Sequence, residues 1–278
     1  MAHSKPQLAQ LLHDADELKP FTTSPLWPIS DRVRIERGWA RLRAGEPCEV
    51  RFTLAGQAVL RAFDHLNAVD GDMLELGSER ERTPFAIQHV AIDGAAHPRA
   101  GHITLDDLVT SVAPSRSRKI GLRFLTPTSF KVDTNAGEKV LCLPQPEFVF
   151  GGLANKWMSF GSTAALDLEA LINRMARDGR APSVRADGSP LSAGDAWRAV
   201  FAHSVIVNRM AGVRTEVAMI NNMPQIGMVG DVCFEVCSDE PDVVHVVQVL
   251  AEAAFYFGVG RKTTQGMGQV VRLPALER

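Results

Sequence analysis

The stretch DVVHVVQVLAEAAFYFGVGRKTTQGMGQVVRL, Asp242 to Leu273, decides the fold. Its first half is polar only along Asp242, His245, Gln248 and Glu252, a stripe at helical spacing. That pattern predicts a helix whose wide apolar face lies across a sheet. Its end, GQVVRL, reads as a strand. Between them Gly258, Gly260, Gly266 and Gly268 flank Arg261, Lys262, Thr263, Thr264 and Gln265. Pliant backbone with two cations and two hydroxyls suits a phosphate. A nucleotide-binding P-loop needs G-x-x-x-x-G-K-[ST] between a strand and a helix, and a dinucleotide loop also follows a strand. This loop follows a helix and precedes a strand, so both readings fail. A structural turn and a phosphate cradle stay open.

Working back from the loop, Val232, Phe234 and Val236 alternate with Asp231, Cys233 and Glu235 in a strand over 226–238. Another strand is expected over 203–220, after a polar Gly/Pro/Ser loop at 178–194. PEFVFGGLANKWMSF is a helix with Val149, Leu153, Trp157 and Phe160 on one face, and ALDLEALINRMARD continues or restarts it. KIGLRFL, 119–125, is a strand. The order is β-α-β-β-α-β, a ferredoxin-like unit. The first part repeats it less one element. It has a helix over 6–17, a strand entered from the loop KPFTTSPLWP, a strand over 48–54, a helix carrying Val59, Ala62, Phe63 and Leu66, and a strand over 82–92. The expected fold is α+β, with two tandem ferredoxin-like domains and antiparallel sheets. The domains are 1–115 and 116–278, the first lacking its opening strand. RNA recognition motifs share this architecture.

The 278 residues, 45% hydrophobic and 22% charged with net charge −2, describe a globular chain. A bulk-basic nucleic-acid binder is excluded; a local basic patch is not, because a partner feels the local field. No apolar run reaches membrane-spanning length, and MAHSKPQLAQ lacks a signal-peptide pattern. Cys48, Cys142, Cys233 and Cys237 form no C-x-x-C pair, so reduced thiols and a cytoplasmic location are expected. No H-E-x-x-H or Asp-rich cluster points to a metal, and no cofactor is expected.

Four ordered segments carry a resemblance: LLHDADELKPFTTSPL (11–26), FLTPTSFK (124–131) with EFVFGGLANKW after it, MPQIGMVGDVCFEV (223–236), and FGVGRKTTQGMGQV. Together they resemble the CRISPR repeat-RNA processing endoribonucleases of the repeat-associated mysterious protein (RAMP) superfamily. The resemblance implies a metal-independent cut within CRISPR repeats. The 2′-OH attacks the neighbouring phosphate, giving a 2′,3′-cyclic phosphate. It implies CRISPR repeat RNA and mature crRNA as partners, with other subunits of an interference complex and a homodimer left open, and no membrane. His13, in the matched Leu-His-Asp, becomes the candidate general base or acid. Lys19 becomes the candidate for stabilising the phosphorane. The glycine loop becomes an RNA-backbone cradle through Gly258, Gly260, Arg261, Lys262, Thr263, Thr264, Gly266 and Gly268. Arg209 and Arg214, on a predicted basic hairpin, are further RNA contacts. His97 and His102, in a Gly/Pro-rich connector, are read as surface residues. Some members carry a catalytic tyrosine on the first helix, whereas the single tyrosine here is Tyr256. A catalytically inactive RNA-binding or structural subunit is therefore the alternative.

Overall fold

Pro241 starts the helix that the apolar run predicts. The missing N–H of proline matters least in a first turn, and the helix runs Pro241–Phe257 before Gly258, at φ 64°, stops it. This is α5 in a computed structural model that describes residues 18–29, 35–36, 39–40, 42–56, 71–77, 82–112, 117–134, 137–161, 163 and 165–274. In chain order the strands before it are β1 (Phe21–Thr23), β2 (Trp27–Pro28), β3 (Ile35–Glu36), β4 (Trp39–Ala40), β5 (Cys48–Glu49), β6 (Phe52–Leu54), β7 (Met73–Gly77), β8 (Arg82–Ala86), β9 (Lys119–Thr128), β10 (Phe130–Thr134), β11 (Gly137–Leu141), β12 (Val205–Ile220) and β13 (Met223–Val236). The helices before it are α1 (Leu105–Ser111), α2 (Pro146–Phe160), α3 (Leu168–Arg177) and α4 (Ala193–Ser204); β14 (Val270–Leu273) comes last.

The C-terminal sheet has the order β12-β13-β9-β14, antiparallel throughout. With α2 and α5 as crossovers this is the β-α-β-β-α-β unit. Both helices cover the face of the sheet presented by Ile120, Leu122, Phe124, Val232 and Phe234, all buried. Phe150 meets Phe234 edge-on at 5.1 Å. Each large apolar side chain buried in this way contributes about 1.5–3 kcal/mol. Asn221 and Asn222, at φ 50° and 61°, make the two-residue turn that joins β12 to β13. Both central residues of such a turn need positive φ, which asparagine tolerates.

The structure differs from the sequence expectations in several places. Residues 193–204 are a helix, unassigned in the sequence reading between the loop expected to end at 194 and the strand expected from 203. Ser192 caps it, accepting from the Asp195 N–H at 3.1 Å, and Trp197 and Phe201 stack at 5.4 Å in its core. The single strand expected over 48–54 is two short ones, because β5 pairs with β2 while β6 pairs with β1. The strand expected over 82–92 is Arg82–Ala86 alone, in a hairpin with Met73–Gly77. A second unforeseen hairpin, β10–β11, follows β9. The helices expected over 6–17 and around Val59 lie outside the described residues, as do the question of an opening strand and the expected boundary near 116. Among the described residues, no helix is long and apolar enough to cross a membrane. The four cysteines are free thiols.

Candidate nucleic-acid interface

The loop after α5 folds back on itself and on the end of β9. The Val259 N–H donates to the Gly268 carbonyl at 2.9 Å, Arg261 N–H to Ser129 at 2.9 Å, and Gly268 N–H to Pro127 at 3.2 Å. Gln265 and Met267 N–H groups both reach the Lys262 carbonyl, closing a single 3-10 turn at Thr263–Gln265. The glycines therefore serve close packing. A Cβ on Gly268 would lie 2.0 Å from the Val259 oxygen, and one on Gly260 2.5 Å from the Ser129 oxygen. Backbone N–H groups expected for an anion are largely spent inside the loop. Gly258, Thr263, Gly266 and Gly268 are buried, whereas Gly260, Arg261, Lys262 and Thr264 are half-buried. Among the described residues, neither Arg261 nor Lys262 pairs with a carboxylate. The turn thus offers cations to a ligand more than it offers amides.

The segment KPFTTSPL docks on this loop. Thr23 donates to the Thr264 carbonyl at 3.1 Å, and Gln269 reaches the Thr23 carbonyl at 3.0 Å. Thr53, opposite Thr22 in the β1–β6 pair, donates to the Tyr256 carbonyl at 2.6 Å. Lys19, just before β1, lines a shallow recess with Pro20, Phe21, Thr22, Ala55, Lys156, Phe160, Tyr256 and Phe257. So the candidate Lys19 lies beside the end of α5, where the loop departs, and the chain's only tyrosine shares the recess. His13 lies outside the described residues.

Arg51 is what sequence reading missed. In CEVRFTL it falls on the polar face of a strand, with nothing to set it apart from a solvated arginine. In the fold its Nε donates to the Arg99 carbonyl at 2.7 Å, Nη1 to Gln269 Oε1 at 3.0 Å and Nη2 to the Phe255 carbonyl at 2.8 Å. The guanidinium stacks 3.8 Å from the Phe255 ring centroid. Burial pulls its pKa down to about 10, still charged at neutral pH. Arg51→Leu is expected to cost about 3 kcal/mol, since it leaves three enclosed acceptors without donors. Arg51→Lys is expected to recover little, because an ammonium cannot span the fork. Urea unfolding of both variants checks this.

Arg209 and Arg214 stand on the exposed edge strand β12, with β13 and β9 between them and β14. Arg214 lies opposite Val229, at the end of the sheet where Met228 pairs with Thr128 beside the loop, and it bonds Glu216. Arg209 lies opposite Cys233, which pairs with Gly121, seven residues away along β9. The structure thus brings Arg214 toward the loop's end of the sheet and leaves Arg209 away from it. His102 is exposed. His97 is part-exposed and faces Glu49 at 3.3 Å, beside the Arg99–Glu49 ion pair. Among the described residues, no group of three or more His, Cys, Asp or Glu is placed to hold a metal ion.

The model of the CRISPR-associated endoribonuclease Cas6 family matches residues 122–270, from β9 to the start of β14. The chain belongs to that family. Among solved structures, the product complex of Thermus thermophilus Cas6 (TTHB231) superposes with TM-score 0.68 at 24% identity, covering 97% of this chain and 87% of that one. The product complex of Cas6 (TTHA0078) gives 0.62 at 23% identity over 97% and 88%. A substrate-mimic complex of the same protein gives 0.58 at 23% identity over 96% and 90%. Comparison with curated proteins found no match. The fold is α+β, two ferredoxin-like units in tandem with antiparallel sheets. The matched span holds β9, α2, the β12–β13 hairpin, α5 and the whole glycine-rich loop.

Proposed function

We propose that the chain is a metal-independent endoribonuclease that cuts CRISPR precursor RNA within its repeats and retains the mature guide RNA. The catalytic histidine belongs to residues 1–115 and the RNA-gripping loop to 116–278. Membership of the Cas6 family supports RNA cleavage as the activity. The observation that supports the site is the docking of KPFTTSPL on the glycine-rich loop through Thr23, four residues after Lys19, at a turn bearing two cations that pair with no carboxylate among the described residues. RNA supplies its own nucleophile. His13 takes the 2′-OH proton or delivers one to the 5′-oxygen, and the 2′-oxygen attacks phosphorus in line as the 5′-oxygen departs. The products are a 2′,3′-cyclic phosphate and a 5′-hydroxyl. Lys19 stabilises the phosphorane charge, while Arg261 and Lys262 hold flanking phosphates.

The test incubates the protein with repeat RNA in excess EDTA, beside RNA carrying a 2′-deoxy at the cut nucleotide. The expected result is one cut that survives EDTA, ends in a cyclic phosphate and disappears with the 2′-deoxy substrate. Loss of cleavage in EDTA would overturn metal independence. Tight binding with no cut in any lane would instead identify an RNA-binding subunit.

A further inference from the structure

Lys156 is a buried lysine, lining the same recess as Lys19, that the reaction above leaves unused. It sits on α2, 8% exposed, among the apolar side chains that pack against α5. Its Nζ donates to the carbonyls of Phe257 at 2.7 Å and Gly258 at 3.1 Å, and reaches Thr263 Oγ1 at 3.5 Å. Phe257 ends α5 and Gly258 is its C-cap, so both carbonyls lie at the helix end that lacks intrahelical donors and carries the negative pole of the dipole. Thr263 is the first residue of the 3-10 turn, directly after Arg261 and Lys262. One ammonium therefore spans the loop's departure from the helix and the turn that carries its cations. Among the described residues, no carboxylate pairs with it. A methionine would fill the same volume without desolvating a charge, so the particular contribution of the ammonium is the three acceptors it gathers.

We propose that Lys156 is a positioning residue for RNA: its ammonium fixes the turn that presents Arg261 and Lys262, and phosphate bound at that turn holds the ammonium protonated, so RNA binding takes up a proton. This rests on the RNA reading of the loop. Burial alone pulls the ammonium down to about 7. The titratable groups that share its recess are Lys19 before β1 and Tyr256 on α5, and Arg261 and Lys262 precede Thr263 in the loop; Asp242, His245 and Glu252 lie further back along α5, and Glu147 at the start of α2. Phosphate seated against Arg261 and Lys262 adds negative charge near the buried ammonium and favours its charged form. Bound phosphate thus raises the Lys156 pKa, and affinity falls as pH rises above about 7. The limit for one proton is about tenfold per pH unit. Without RNA the sign is opposite. The unfolded chain keeps this proton to higher pH than the folded one, so the lysine adds stability as pH rises above about 7.

The experiment measures repeat-RNA affinity from pH 6.5 to 9 for the wild type and Lys156→Met, with amide hydrogen exchange of residues 258–268 in the free proteins. Expected are a falling wild-type profile, an affinity about tenfold lower at pH 7 in the variant, a shallower variant profile, and faster loop exchange. Equal affinities and parallel profiles would overturn the proposal. Should Lys156→Met fail to fold, calorimetry of the wild type in buffers of different ionisation enthalpy decides: net proton uptake above pH 7 supports it, and none overturns it. Should the wild type not bind repeat RNA, the RNA reading and the proton coupling fall together. Exchange then decides the loop-holding role alone, unchanged rates overturning it.

Discussion

Alanine at position 268 is expected to lower folding stability by about 3 kcal/mol or more, and to weaken RNA binding with it. Gly268 sits at φ 71°, where an L side chain is strained, and its missing Cβ would lie 2.0 Å from the Val259 oxygen and 3.0 Å from Thr263 Cγ2. The oxygen belongs to backbone, so no rotamer change relieves the overlap. The loop must open instead. That breaks the Val259 N–H bond to Gly268 and the Gly268 N–H bond to Pro127, which together close the loop on β9. Strain at this φ contributes about 1–3 kcal/mol, and each enclosed group left unpaired adds about as much. Gly188→Ala is the control, at φ 81° with nothing within 4 Å of the new Cβ. It should cost only the conformational part, about 1 kcal/mol. Urea unfolding of the two variants measures the difference. A Gly268→Ala protein no less stable than Gly188→Ala would show that the loop does not need this closure.

The same loop marks how far the sequence could be read. The glycines are visible in it, and so is their place between a helix and a strand, which excludes nucleotide-loop readings. Their reason is not visible, because it depends on Ser129 and Pro127, more than 130 residues upstream. The β-α-β-β-α-β order is legible because α5 and β13 are strongly periodic, and each pattern fits only one period. Helix α4 escaped the reading, although a signal existed: Ser192 three residues before Asp195 is the spacing of a helix cap, and the structure uses it so. Strands β5 to β8 are blurred because they are two to five residues long, which leaves little alternation to detect. Lys156 also left a trace. Val149, Leu153, Lys156 and Phe160 follow helical spacing, so a lysine occupies an inward position of the helix. Arg51 left none, since its acceptors on Phe255 and Gln269 come together only in the fold.

Removing the imidazole at His13 is expected to reduce cleavage by about 100- to 10,000-fold while leaving affinity for repeat RNA near the wild-type value. The asymmetry follows from what each group contributes. RNA affinity comes chiefly from cations that displace condensed counterions, and a neutral imidazole displaces none. Proton transfer in the transition state is a different matter, because the attacking 2′-OH and departing 5′-oxygen are poor without it. Replacing Arg261 and Lys262 together by alanine should give the inverse pattern: weaker binding, a salt slope shallower by about 1 for each phosphate no longer gripped, and single-turnover cleavage largely retained at saturating protein. The two variants thus divide the molecule into a reacting segment before β1 and a gripping loop after α5, which meet where Thr23 bonds the Thr264 carbonyl. If His13→Ala cleaves at the wild-type rate, the histidine is not the proton-transfer group. The acid and base must then be sought among the residues that line the recess, beginning with Lys19 and Tyr256.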